Sequence, residues 1–255
     1  MYANKYYAGA ISGIFEVVLT HPLDFLKTKR QEMIQSNLNP KDFYKNILSK
    51  GPKIFYSGLL SRLTGIIPMR LTFWGVQGNI NDYLNNNKIK TPVNFLLIGT
   101  LGGFTQSVID NQIELIKISQ MTGKKLKFND FIKFTGFTAT MIRNIGFANC
   151  IAYSCFNLEA KTSEQKFINS ATAGFIGSVI TQPFDYVKTI KHRVDPTFIN
   201  GKNIKFLSTF KILNIIYRNN PKSLFTGVGA RSGLSFFSMG IGFVAFDKIN
   251  NLLKN

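Results

Sequence analysis

The sequence predicts an all-α membrane protein of six transmembrane helices, set as three tandem two-helix repeats around a central cavity. Three observations carry this: six separated apolar segments, ionisable residues inside them, and a short acid–lysine motif that recurs in register.

A helix needs roughly 20 residues to cross a hydrocarbon core. Candidate segments are Tyr6–Leu26, Leu59–Gln77, Pro92–Ile109, Gly136–Phe156, Ile168–Gln182 and Val228–Phe246. Lys/Asn-rich stretches divide them, so the mean hydropathy of +0.04 conceals the pattern. Glu16, Arg62, Arg70, Gln106, Arg143, Asn144 and Arg231 fall inside these segments. An ionisable group at membrane depth is costly and faces a bundle interior or a watery cavity. Six amphipathic helices of a soluble protein are the competing reading. Against it stand the 21 glycines, many within apolar segments, where each weakens a soluble helix by about 1 kcal/mol. In a membrane, small residues four apart instead let helices approach closely.

The repeat is read from three anchors: His21-Pro22-Leu23-Asp24-Phe25-Leu26-Lys27, Asn111-Gln112-Ile113-Glu114-Leu115-Ile116-Lys117 and Gln182-Pro183-Phe184-Asp185-Tyr186-Val187-Lys188. Each places an acid three residues before a lysine at the end of an apolar segment. Small-residue pairs precede them at one common offset: Gly9 and Gly13, Gly99 and Gly103, Ser170 and Gly174. The second halves repeat too. Gly51-Pro52-Lys53-Ile54-Phe55-Tyr56-Ser57-Gly58 matches Asn220-Pro221-Lys222-Ser223-Leu224-Phe225-Thr226-Gly227, with Arg62 and Arg231 each four residues beyond the glycine. The middle unit keeps only Phe134-Thr135-Gly136, then Thr140-Met141-Ile142-Arg143. Registered self-similarity of this kind marks a repeat architecture. Residues 1–255 thus form one domain, with repeats of about 1–88, 89–163 (shortened) and 164–255. Each repeat is expected to run helix, acid–lysine turn, polar segment with a short helix, then a second helix.

Composition narrows the function classes. The formal charge of +18 asks for an anionic partner: nucleic acid, anionic lipid or anionic solute. Arginines within apolar helices and the lack of a nucleic-acid motif argue against the first. Cys150 and Cys155 have neither disulfide-framework nor metal spacing, so they read as reduced packing residues. His21 and His192 are the only histidines. Neither has a nucleophile or metal ligand at a telling spacing, and no glycine loop cradles phosphate. The chain is therefore not expected to be an enzyme, to hold a metal or to carry a cofactor. Apolar sequence begins by Tyr6, so any targeting signal is expected to be internal.

With these motifs the chain resembles the mitochondrial carrier family over essentially its whole length. The family signature is Pro-x-[Asp/Glu]-x-x-[Lys/Arg]-x-[Lys/Arg], followed after an interval by [Asp/Glu]-Gly-x4-aromatic-[Lys/Arg]-Gly, three times over. Repeat one matches the first part through Lys29, but has Lys50 and Ser57 in the second part. Repeat two has Gln112 for the proline and Ser119 for the last base, and repeat three has Ile190 there. The resemblance implies short matrix-side helices, a monomer multi-pass in the mitochondrial inner membrane, and both termini on the intermembrane-space side.

It also implies a matrix-side gate in which the acid of one odd-numbered helix pairs with the lysine of the next: Asp24–Lys117, Glu114–Lys188 and Asp185–Lys27. Gln31 takes the bracing position. Local acid–lysine pairing along each helix is the alternative. Kinks are expected at Pro22 and Pro183. At the other face the family's aromatic-acid-x-x-base pattern survives only as Phe246-Asp247, with Asn250 for the base and Gly78 and Phe156 at the other acid positions. That predicts a weak outer gate, resting mainly open to that side.

Substrate contacts implied by the resemblance are Arg143 and Asn144 on the fourth helix and Arg70 and Trp74 on the second, with Phe73 beside them. Two arginines with aromatics fit a nucleotide or deoxynucleotide, and one arginine with Asn144 fits a carboxylate such as a keto acid or amino acid. Phe73 and Trp74 equally suit packing. Glu16 reads as a helix–helix hydrogen-bond partner or a cavity proton site. The expected function is an alternating-access antiporter of small anionic metabolites. Basic pockets between helix ends suit cardiolipin. A carrier-fold scaffold or insertase, and more distantly a nucleic-acid-binding protein, are the rival readings.

Overall fold

The structure, a computed structural model, describes residues 2–35, 45, 49, 51–57, 59–89, 93–122, 136–191, 198–199, 202–203 and 207–253. Among them lie eight α-helices: α1 (Tyr2–Gln35), α2 (Leu59–Asn86), α3 (Asn94–Thr122), α4 (Phe137–Ala152), α5 (Ser163–Ile180), α6 (Gln182–Lys191), α7 (Thr209–Asn219) and α8 (Val228–Leu252). A π turn, Tyr153–Asn157, continues α4. The all-α expectation misses one small feature, an antiparallel hairpin of β1 (Phe198–Ile199) and β2 (Lys202–Asn203), in which Phe198 faces Asn203.

Spatial neighbours follow chain order. α1 packs on α2, α2 on α3, α3 on α4, α4 on α5 and α5 on α8, which returns to α1 and closes a ring. The most extensive contacts are α1 with α2, α3 with α4 and α5 with α8, the three helix pairs of the repeat. Small residues make these contacts possible. A Cβ added at Gly9 would sit 2.7 Å from the Arg70 carbonyl oxygen. One at Gly103 would sit 2.6 Å from Ile145 Cα, and one at Gly174 2.7 Å from the Ser235 carbonyl oxygen. The stripe read from the sequence is thus the seam along which each odd helix meets its partner. Gly103→Val is expected to force α3 from α4 at a cost of about 1–3 kcal/mol or more. A lowered unfolding temperature of detergent-solubilised protein would record it.

The repeated turn motifs also fold alike. Pro52–Tyr56 and Pro221–Phe225 are both 3-10 turns with proline at their start. Gly227 and Gly136, which close the aromatic-x-Gly motifs, sit at φ 81° and 78° and begin α8 and α4. Only glycine takes that left-handed conformation without strain. His21 Nε2 lies 3.1 Å from the Ser57 carbonyl oxygen, and Gln182 Nε2 donates to the Thr226 carbonyl oxygen at 2.8 Å. These are matching positions of the first and third repeats. The prolines behave differently: Pro22 lies inside α1 without ending it, whereas Pro183 is the second residue of a helix that restarts at Gln182. A proline removes one hydrogen bond and crowds the carbonyl four residues back. At Pro183 that is met by relaxing Thr181 to ψ 0° between α5 and α6.

Large apolar side chains lie on the outer faces of the helices as well as in the core, and charged ones lie inside. Tyr7, Ile11, Ile14, Phe15 and Leu19 on α1 are exposed, as are Leu96, Leu97, Leu101 and Phe104 on α3 and Ile168, Phe175, Ile176 and Ile180 on α5. Glu16, Arg70, Gln77, Asp110, Asn144 and Lys188 are buried. Among the described residues one stretch, Pro221–Leu252, is long and apolar enough by composition alone to cross a membrane. The other long helices carry charge on their inner faces, which lowers their mean hydropathy while leaving an apolar exterior.

Candidate functional site

The start of α1 and the end of α8 meet at one end of the bundle, where Asn4 Nδ2 donates to the Leu253 carbonyl oxygen at 2.7 Å. Lys5 binds Asp82 at 2.7 Å and the Gly78 carbonyl oxygen at 3.0 Å. Lys166 of α5 binds Asp247 of α8 at 2.7 Å. Inward of these pairs, rings from α2, α8 and the π turn meet. Trp74 stacks on Phe246 with centroids 5.3 Å apart and tilts on Phe243 at 5.5 Å, while Phe156 meets Phe243 edge-on at 6.3 Å. Ala8, Phe73, Ala148, Ile151, Ala173 and Met239 share one buried cluster with Trp74, Phe243 and Phe246. The end expected to rest open is filled with aromatic side chains. Gly78 explains part of this: a Cβ there would meet Lys5 Cδ at 2.6 Å and Phe246 Cζ at 3.2 Å. Losing an acid at that position makes room for the Lys5 stem and the ring.

Deeper in the bundle, Glu16 receives both Arg70 Nε at 2.6 Å and Arg70 Nη2 at 2.5 Å. Ser238 of α8 donates to the same carboxylate and accepts from Arg70 Nη2 at 3.2 Å. One bidentate pair with a hydroxyl therefore ties α1, α2 and α8 together. Glu16 is 2% exposed and Arg70 6%, so the hydrogen-bond reading of Glu16 describes its geometry. The Arg70 guanidinium also sits 5.5 Å over the Phe73 ring. Trp74 is fully buried and engaged with rings.

Towards the far end a second network centres on Arg143. Its Nη1 donates to Asp185 at 2.8 Å and its Nη2 to Asp110 at 2.5 Å. Nε and Nη2 both reach Asn144 Oδ1, at 3.0 and 2.7 Å. Asp110 further accepts from Asn144 Nδ2 at 3.3 Å and from Lys188 Nζ at 3.2 Å. Asp185 lies 3.7 Å from Arg231 Nε. Arg231 itself donates to the Ser178 carbonyl oxygen at 3.0 Å, to Gln182 Oε1 at 3.1 Å and to Thr181 Oγ1 at 3.0 Å. The network joins α3, α4, α5, α6 and α8. Seven residues separate Ser238 from Arg231 on α8, so the two arginine stations stand about 10 Å apart along the bundle.

The four residues expected to contact substrate thus divide between two stations: Arg70 and Trp74 in one, Arg143 and Asn144 in the other. Of the expected gate, Asp185 and Lys188 join the second station. Asp24, Lys27 and Gln31 on α1 and Glu114 and Lys117 on α3 have side chains outside the described residues. Sequence reasoning passed over Asp110, the acceptor of three donors. A signal was present: two residues before each anchor's second position stand Thr20, Asp110 and Thr181, so an acid interrupts a threonine pattern. The joint role of Arg231, Gln182 and Thr181 was also missed, because Arg231 lies on α8, far along the chain from the neighbouring Thr181 and Gln182.

The arrangement is chemically suited to anions. A planar guanidinium deep between helices, already holding two carboxylates, presents the fork geometry that carboxylate groups match. Known proteins agree with this. The profile of the mitochondrial carrier protein family matches residues 1–88 and 159–255. The chain is 27% identical to mitochondrial substrate carrier family protein X of Dictyostelium discoideum, over 97% of this chain and 90% of that one. It is 24% identical to the mitochondrial 2-oxodicarboxylate carrier of Mus musculus, over 83% of this chain and 81% of that one. It is 25% identical to a mitochondrial aspartate-glutamate transporter of Saccharomyces cerevisiae, covering 97% of this chain and 31% of that longer protein. Members of this family are transporters and not enzymes. Ring, repeat motifs and relatives converge, and the chain belongs to the mitochondrial carrier family.

Proposed function

We propose that this chain is an alternating-access antiporter that exchanges small carboxylate anions across the mitochondrial inner membrane. Its six long helical rods would span the bilayer as three repeats, with both termini in the intermembrane space and cardiolipin between basic helix ends. The observation that carries the reading is Arg143, held inside the bundle by Asp110 and Asp185 at 2.5 and 2.8 Å. A solute carboxylate would compete for the same guanidinium, assisted by Asn144, with Arg70 as a second basic station. Carriers of 2-oxodicarboxylates and of aspartate and glutamate among the relatives support the carboxylate class. The nucleotide reading is weaker because Trp74, the ring that would stack on a base, is buried among other rings.

Asp24, Lys27, Glu114, Lys117, Asp185 and Lys188, braced by Gln31, would close the matrix side. Ion pairs partly shielded from water suit a gate, since desolvation offsets much of their attraction and opening costs little. A solute that binds the opening state more tightly supplies the difference.

The test is exchange into liposomes bearing purified protein, preloaded with one solute and offered a labelled panel of oxodicarboxylates, amino acids, nucleotides and phosphate. Counter-exchange confined to carboxylates is the expected result. Folded protein that exchanges no panel member would favour the non-transport, scaffold-type reading.

A further inference from the structure

We infer that Asp110 is a specificity-determining residue: a built-in counter-ion that occupies Arg143 in place of a solute carboxylate and sets how much negative charge the cavity accepts. The inference rests on the carboxylate-exchange reading of the Arg143 station and adds a role for an acid outside the repeated motif.

Three observations carry it. First, Asp110 is 5% exposed and takes donors from two other helices: Arg143 and Asn144 on α4 and Lys188 on α6. A buried carboxylate with that many donors has its oxygens fully engaged within the bundle. Second, Asp110 stands where the other repeats carry Thr20 and Thr181. In the third repeat that threonine is an uncharged partner, its hydroxyl accepting from Arg231 at 3.0 Å. The middle repeat thus adds one negative charge at a position that is neutral in its counterparts. Third, Asp110 keeps Lys188 at 3.2 Å and Asn144 at 3.3 Å when Arg143 turns to another anion. Displacement by a solute therefore leaves no buried carboxylate without a cation, which would otherwise be a large penalty.

It follows that Asp110 discounts the site's attraction for highly charged solutes. A neutral residue there raises local positive charge by one. It should favour the more anionic member of a matched set more than the less anionic one.

The experiment compares competition by glutamate, 2-oxoglutarate and citrate, which differ stepwise in net negative charge, against the wild type's labelled exchange substrate. The variants are Asp110→Asn, Asp110→Glu and Thr181→Asp. Asp110→Asn should shift the ratio of apparent affinities towards the more anionic competitors by about tenfold per charge step. Asp110→Glu should keep the wild-type ranking, and Thr181→Asp, which places an acid beside Arg231, should move it the opposite way. A uniform change for all three competitors in Asp110→Asn would mean a merely structural role and overturns the inference. Should Asp110→Asn fail to fold, an unchanged ranking in folded Thr181→Asp overturns it instead. Wild type that exchanges only non-carboxylates sinks the proposed function and this inference together. Wild type that exchanges carboxylates with an unmoved ranking in Asp110→Asn sinks this inference alone.

Discussion

Arg143→Ala is expected to lower exchange by at least about 100-fold, equivalent to about 2.7 kcal/mol of lost stabilisation. Two effects act in the same direction. The solute loses its bidentate donor, worth about 1.5–3 kcal/mol for a charged hydrogen bond. Asp110 and Asp185, which Arg143 bridges at 2.5 and 2.8 Å, lose a shared counter-charge and repel each other inside the bundle. Arg143→Lys separates the two effects. A lysine restores the charge between the acids but not the planar fork, so the protein should regain thermal stability while exchange stays well below wild type. Near-normal exchange in Arg143→Ala would remove the residue from the substrate path. Equal recovery of stability and exchange in the lysine variant would reduce Arg143 to a structural strut.

Glu16→Ala is the second large effect, and it is expected in stability. Arg70 would be left buried without the carboxylate that receives two of its donors at 2.6 and 2.5 Å. Breaking a buried pair from one side costs about 3–5 kcal/mol, whereas replacing both partners by apolar residues of similar volume is often neutral. Arg70→Ala should therefore be damaging too. The double variant Glu16→Met, Arg70→Met should recover most of the unfolding temperature lost by either single change. Gly242 adds a check: a Cβ there would lie 2.9 Å from Glu16 Oε2, so Gly242→Ala should mildly disturb the same pair. A folded, stable double variant that exchanges solute normally would make the pair a clamp between α1, α2 and α8. One that is stable but inactive would place Arg70 among the solute contacts, as the family resemblance implies. Unchanged unfolding temperatures in both single variants would contradict the pairing itself.

Much of the architecture was legible because it is written in local periodicity. The Gly9/Gly13, Gly99/Gly103 and Ser170/Gly174 stripes announced which faces meet, since close helix approach demands small side chains wherever the partner lies. Proline and glycine at the repeated turns announced where helices begin, through dihedral constraints that act within a few residues. Gly78, Phe156 and Asn250 mark missing charges in the sequence, whereas the packing of Trp74 against Phe243 and Phe246 there depends on volumes that two separate helices supply. Trp74 left both roles open in the sequence, because stacking and packing use the same side chain.

The sequence by itself determined the repeat, the helix pairs, the inward placement of charge and the family. These follow from spacing along one chain and from the cost of ionisable groups at membrane depth. Only the tertiary structure decided who pairs with whom. Asp110 meets Arg143 and Lys188, Glu16 meets Arg70 and Ser238, and Asp247 meets Lys166. Each partnership joins residues on different helices, and a charge can take any opposite charge the fold brings within a few ångströms. No sequence offset records that choice; the closing of the ring makes it.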